Sequence, residues 1–148
     1  MANSTQYAKT VDTPSVKIST TELHGRVRVA YADFTSASAQ ETINMFKLPD
    51  GARIIGGRLN HAALGSSTTV SVGHAAYTQA DGTVVALDVD EYKAAASSAS
   101  ATGSAVASTT ALGENSVVDA PDGLIITATT AGANATGLIT VQITYVLD

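Results

Sequence analysis

In Gly137 to Leu147, Ile139, Val141, Ile143, Tyr145 and Leu147 alternate with Thr140, Gln142 and Thr144. A period of two puts one set on each face of a pleated strand, so this stretch is read as β and as an interior strand of its sheet. The same logic finds further short strands upstream. In Gly25 to Phe34, Val27, Val29 and Tyr31 share one face while Arg26, Arg28 and Ala30 share the other, pointing toward solvent or a partner. Glu41 to Leu48 is apolar on both faces, as expected inside a sandwich or under an interface.

The stretch from Lys47 to Gly73 reads as a long hairpin. It has a turn at Leu48-Pro49-Asp50-Gly51, a strand from Ala52 to Leu64, a closing turn at Gly65-Ser66-Ser67 and a return strand from Thr68 to His74. Gly56-Gly57 inside the first arm signals a bulge or a close backbone approach. Asp81-Gly82 marks another tight turn before Thr83 to Leu87, and Ser116 to Val118 and Gly123 to Thr130 are further strands. Asp88 changes the pattern. With Glu91 three residues on, then Tyr92, an alanine cluster and Gly103, the segment 88–101 predicts one short helix packed on a sheet by Val89, Tyr92 and Ala96.

The count and spacing of strands predict an all-β, antiparallel two-sheet sandwich, jelly-roll-like, with an immunoglobulin-like sandwich as the nearest competitor. Residues 1–24, rich in Ser, Thr and Lys with scattered aliphatics, predict an extended N-terminal arm, and residues 25–148 a single β-sandwich domain. The start of the chain lacks the apolar core of a signal peptide, and no apolar run reaches the roughly 20 residues of a membrane helix.

Composition narrows the chemistry. There is no cysteine, which excludes disulfides and thiolate sites, and no tryptophan. Residues 1–60 hold seven of the eight basic groups against five acids, and residues 61–148 hold Lys93 alone against eight acids, a split of +2 and −7. Such asymmetry suggests one face for a partner and another for solvent. No dense basic stripe with interleaved aromatics exists, so nucleic acid is not an expected partner, nor is a membrane.

Tests for a catalytic site fail one after another. Gly51 and Gly56 have the spacing of a phosphate loop, but Gly57 and Arg58 stand where Lys and Ser/Thr are needed, and a strand follows instead of a helix. If Ser66-Ser67 closed the hairpin, His61 and His74 would be diagonal neighbours, about 7 Å apart. A third ligand is lacking, which favours two histidines bonded to backbone or neighbours over a shared metal. There is no Gly-x-Ser-x-Gly elbow, and Asp88, Asp90 and Glu91 are explained by capping. No catalytic residue, cofactor or metal ligand is assigned, and the chain is not expected to be an enzyme.

The block Leu48-Pro49-Asp50-Gly51-Ala52-Arg53-Ile54-Ile55-Gly56-Gly57-Arg58, followed by Ser66-Ser67-Thr68-Thr69-Val70-Ser71-Val72-Gly73, resembles small structural proteins of tailed bacteriophages, and among them the head decoration, or cement, proteins. The likeness spans Gly25 to Ala101 at the level of pattern. It implies a jelly roll that binds the outside of the phage head as a homotrimer and stabilises contacts between major capsid protein subunits. Location would be the virion exterior, and the host cytoplasm during assembly. Under that resemblance Lys9, Lys17, Arg26 and Arg28 are the residues expected to face the shell. Another virion component (tail, baseplate or head-fibre base) is the next reading, and a carbohydrate-binding β-sandwich the one after.

Overall fold

The computed structural model describes residues 25–38 and 40–147. Among them ten strands follow in chain order: β1 (Val27–Ser38), β2 (Thr42–Leu48), β3 (Arg53–His61), β4 (Thr68–His74), β5 (Tyr77–Thr78), β6 (Val84–Val85), β7 (Asp88–Ser97), β8 (Thr102–Val106), β9 (Leu124–Gly132) and β10 (Ala135–Val146). One sheet has the order β1-β10-β3-β8 and the other β2-β9-β4-β7, every pairing antiparallel, while β5 and β6 form a separate two-stranded ribbon. From β1 to β4 the chain changes sheet at every connection, and it does so again from β7 to β10. That alternation of eight strands between two four-stranded sheets is the jelly roll expected from the sequence, and it decides against the immunoglobulin-like order.

β10 is interior to its sheet, as its periodicity requires, with Ile139, Val141 and Ile143 fully buried. They meet Leu59 and Ile54 of β3 and, from the other sheet, Val70, Val72 and Ile126 in one apolar layer. β2, which looks apolar on both faces, is in fact one-sided. A bulge between Asn44 and Phe46 shifts its register, so that Ile43, Phe46 and Leu48 stand opposite Ala128, Ile126 and Leu124. Gly56-Gly57 combines both of its expected roles: the register with β10 shifts there, and a Cβ on Gly57 would collide with the Gln142 carbonyl and with Ile143.

Three expectations are corrected. β3 and β4 do not form a hairpin; they belong to different sheets, because each is apolar enough to sit between two other strands instead of pairing with its sequence neighbour. The brief strand at Ser116 to Val118 reduces to one isolated bridge, Val117 with Arg53. The helix near 88–101 is absent. Asp88–Ser97 is the edge strand β7, and β8 begins at Thr102. Helix propensity over so short a segment is worth little. Pairing with β4 gives it ladder bonds, buries Tyr92 beside His74, and brings Ser98 to Thr68, whose carbonyl accepts the Ser98 N–H at 3.0 Å. Asp88 still uses its carboxylate locally, accepting the Asp90 N–H at 3.0 Å, in an extended backbone. The only helical turn among the described residues is a 3-10 turn at Thr110–Leu112.

Candidate functional site

Four basic residues are expected at a partner-facing surface. Lys9 and Lys17, like the whole 1–24 arm, lie outside the described residues. Arg26 and Arg28 are exposed where the chain enters β1. The Arg28 Nε–H donates to the Leu147 carbonyl at 3.4 Å, and the Leu147 N–H donates to the Arg26 carbonyl at 3.2 Å, so both arginines are anchored beside the end of β10. The structure therefore brings this pair together at one corner of the sandwich, with their guanidinium groups accessible.

The other face of β1 is unexpected. Val27, Val29 and Tyr31 are 64, 55 and 60 % exposed, while Ala30 packs on the core. An alternating strand places its larger apolar set inward when one side is water. Here the larger set points outward and alanine points in. Tyr31, Gln142 and Arg58 are register partners in successive strands and form one row across the outer surface of the sheet. In that row the Arg58 Nε–H donates to Asn60 Oδ1 at 2.8 Å. Sequence reading grouped Val27, Val29 and Tyr31 correctly but pointed the face of Arg26, Arg28 and Ala30 toward solvent or a partner. The structure corrects this, turning Ala30 to the core and leaving the two arginines at the strand's start exposed on that side.

The two histidines considered as a metal pair are in different sheets, His61 at the end of β3 and His74 at the end of β4. Each is buried, with its Nδ1 at 2.8 Å and 2.9 Å from the carbonyl of the next residue, Ala62 and Ala75. That geometry uses one ring nitrogen on the backbone and fixes the ring. Among the described residues no group of three or more His, Asp or Glu side chains is disposed to hold a metal ion.

His74 belongs instead to an aromatic cluster, its ring edge-on to Tyr77 at 5.2 Å and to Tyr92 at 6.1 Å between centroids. Burial pushes the Tyr92 phenol well above its usual range, and nearby Glu91 adds to the shift. Tyr77 is raised as well, by burial first and then by Asp119 and Glu91. The Asp90 N–H bond, with His74 nearby, holds the Asp88 carboxyl low. Tyr92 and His74 are buried, while Tyr77 is half-buried and lines a cavity of about 270 Å³ with Lys47, Asp122 and Ile125.

A concavity of about 390 Å³ lies between the two Pro-Asp-Gly turns, Pro49–Gly51 and Pro121–Gly123. Gly51 and Gly123 have φ of 76° and 81°, the left-handed conformation that such turns demand. Asp50 is committed to the turn pair, its carboxylate accepting the Ala120 N–H at 2.8 Å. Gly51 sits in a turn and Gly56 in β3, so the phosphate-loop spacing corresponds to no helix N-terminus.

No protein-family model and no curated protein matches this chain. Solved structures do resemble it. A chain of the cyanophage Pam1 capsid asymmetric unit is 21% identical with a TM-score of 0.63, over 85% of this chain and 88% of that one. A chain from the capsid of Ralstonia phage GP4 is 19% identical with a TM-score of 0.65, over 84% and 86%. A chain from the acidic stable capsid structure of Helicobacter pylori bacteriophage KHP30 is 19% identical with a TM-score of 0.59, over 84% and 90%. At such identity the likeness establishes a common fold. It covers 84–85% of this chain and 86–90% of those chains, so the jelly roll is what they share.

Proposed function

We propose that this chain is a decoration, or cement, protein of a bacteriophage head, a structural component and not an enzyme. It binds the outer surface of the capsid as a homotrimer and ties neighbouring major capsid protein subunits together. It acts in the virion, after assembly in the host cytoplasm. The observation that carries the reading is the match of the eight-strand jelly roll, over more than four-fifths of the chain, to chains from three phage capsid structures. The site geometry agrees with it: accessible arginines at the start of β1, an outward apolar stripe, and ionisable groups spent on structure.

A lattice repeats each contact many times, so a modest interface per copy is sufficient for lasting attachment. Lys9, Lys17, Arg26 and Arg28 are the shell-facing residues in this reading. Of these, Arg26 and Arg28 have backbones held against β10, so less backbone freedom is lost on docking. The test is co-sedimentation of the purified protein with empty expanded heads, followed by localisation of its density on the particle. Arg26→Glu with Arg28→Glu should lower occupancy by about tenfold or more, as expected for reversing charges at a complementary interface. Unchanged occupancy removes the two arginines from the interface. Binding to tail tubes but not to heads would move the protein to another part of the virion.

A further inference from the structure

We infer that copies of this chain associate head to tail, the outer face of β1 in one copy receiving the β6–β7 corner of the next. The inference rests on the oligomeric part of the reading above and names the surfaces that make it.

Two exposed apolar patches carry the argument. The first is Val27, Val29 and Tyr31 on β1, continued by Arg58 two strands away in the Tyr31 row. The second is Val84 and Leu87, 73 and 51 % exposed, on the segment that leads into β7. Scattered apolar side chains are ordinary on a protein surface, but three in a row on one strand and two beside a tight turn are clusters. Their surroundings differ in charge: Arg58 lies in the Tyr31 row, and Arg26 and Arg28 are exposed at the start of β1 on the strand's other face, whereas the second patch lies among acids along the chain. Described residues 25–60 carry Arg26, Arg28, Lys47, Arg53 and Arg58 against Asp33, Glu41 and Asp50, a net +2. Described residues 61–147 carry Lys93 against Asp81, Asp88, Asp90, Glu91, Glu114, Asp119 and Asp122, a net −6. Four of those acids, Asp81, Asp88, Asp90 and Glu91, flank Val84 and Leu87 in sequence.

Position in the fold matters as much as charge. β1 is the edge of one sheet and β7 the edge of the other; β1 packs near β2 and β7 near β8, at opposite sides of the sandwich. A two-fold contact would set each patch against itself, Arg58 facing Arg58 or Glu91 facing Glu91. A heterologous contact sets the basic-flanked patch against the acidic-flanked one, and a heterologous contact that rotates back on itself closes a ring. Tyr31 supplies the kind of large amphipathic side chain that dominates such interfaces. Asp33, which accepts from the Tyr31 hydroxyl at 3.4 Å, stands at the rim of the first patch.

Sedimentation velocity of the full chain, without capsids, reads the result. Val29→Asp with Tyr31→Asp should weaken self-association by about 100-fold or more, the scale of a central hot spot. Val84→Asp with Leu87→Asp should do the same from the other side. All four positions are exposed, so each variant should keep its β circular dichroism and a cooperative melt. The decisive step is mixing. Each double variant retains one intact patch, so the two together should form a 1:1 dimer that neither forms alone and that grows no further. Association that survives either double variant overturns the inference, as does a mixture that stays monomeric. Capsid co-sedimentation is scored separately. A wild-type oligomer that ignores heads sinks the decoration reading and leaves the interface standing, whereas variants that stay oligomeric but release heads place the shell, not a second copy, on these patches.

Discussion

Leu138 and Ile139 are neighbours on β10 and isomers of each other, yet the fold gives them opposite environments. Ile139 is fully buried, opposite Phe34 of β1 and His61 of β3, while Leu138 is 45 % exposed and opposite Thr35. Truncation to alanine removes three carbons at either site. For Ile139 the lost transfer free energy is about 2.4 kcal/mol, at about 0.8 kcal/mol per buried carbon. The cavity left between two sheets raises that to about 3–4 kcal/mol, within the range for large-to-small changes in cores. For Leu138 the same transfer figure is roughly halved by exposure, and no enclosed cavity forms, so the cost is about 1 kcal/mol. The two variants should therefore differ by about 2 kcal/mol or more, which at a urea slope near 2 kcal/mol/M separates their midpoints by about 1 M. Urea unfolding followed by circular dichroism measures this, at a protein concentration where the oligomeric state is the same for both. Equal losses, or the greater loss at Leu138, would mean that the strand is paired one residue out of register, because a slip of one exchanges the faces.

Two other perturbations probe separate parts of the fold. Gly57→Ala should cost about 1–3 kcal/mol in urea unfolding, because the new methyl meets the Gln142 backbone and one of the two central strands must move; a neutral result would mean that β3 and β10 are not this close. Tyr92 gives a pH dependence. Its folded pKa is raised above the unfolded value of about 10, so its contribution is fully present below that pH and is lost as pH rises toward the folded value, by up to about 1.4 kcal/mol per pH unit. Tyr92→Phe should flatten the decline in stability above about pH 10 relative to wild type, and identical slopes would show that the phenol is not buried.

Much of the framework could be read from the chain because burial leaves a periodic trace. The alternation of Ile139, Val141 and Ile143 identified an interior strand, and the glycines at 56 and 57 announced a bulge and a close approach before any partner was known. Local chemistry was less informative where two explanations share one signature. Asp88, Glu91 and the alanines after Tyr92 satisfy the start of a helix, and they serve an edge strand just as well once β4 offers an unpaired ladder and His74 a face for Tyr92. For the candidate surface, Arg26 and Arg28 could be picked out by type and spacing, and the structure adds only what holds their backbones.

Strand order could not be read at all, because hydrogen bonding between backbones carries no side-chain signature. Whether β3 pairs with β4 or crosses to the other sheet depends on which strands compete for its edges, and that is a property of the whole set. The same holds for β1. Its period-two pattern determined that Val27, Val29 and Tyr31 travel together; only the packing of Ala30 against a core already filled by β3 and β10 turned that row outward. The sequence by itself decided the class of element at most positions, through periodicity and turn residues. Which face of each strand meets the core, and so which residues remain to meet another molecule, was decided by tertiary structure, since close packing admits one set of side chains and excludes the other.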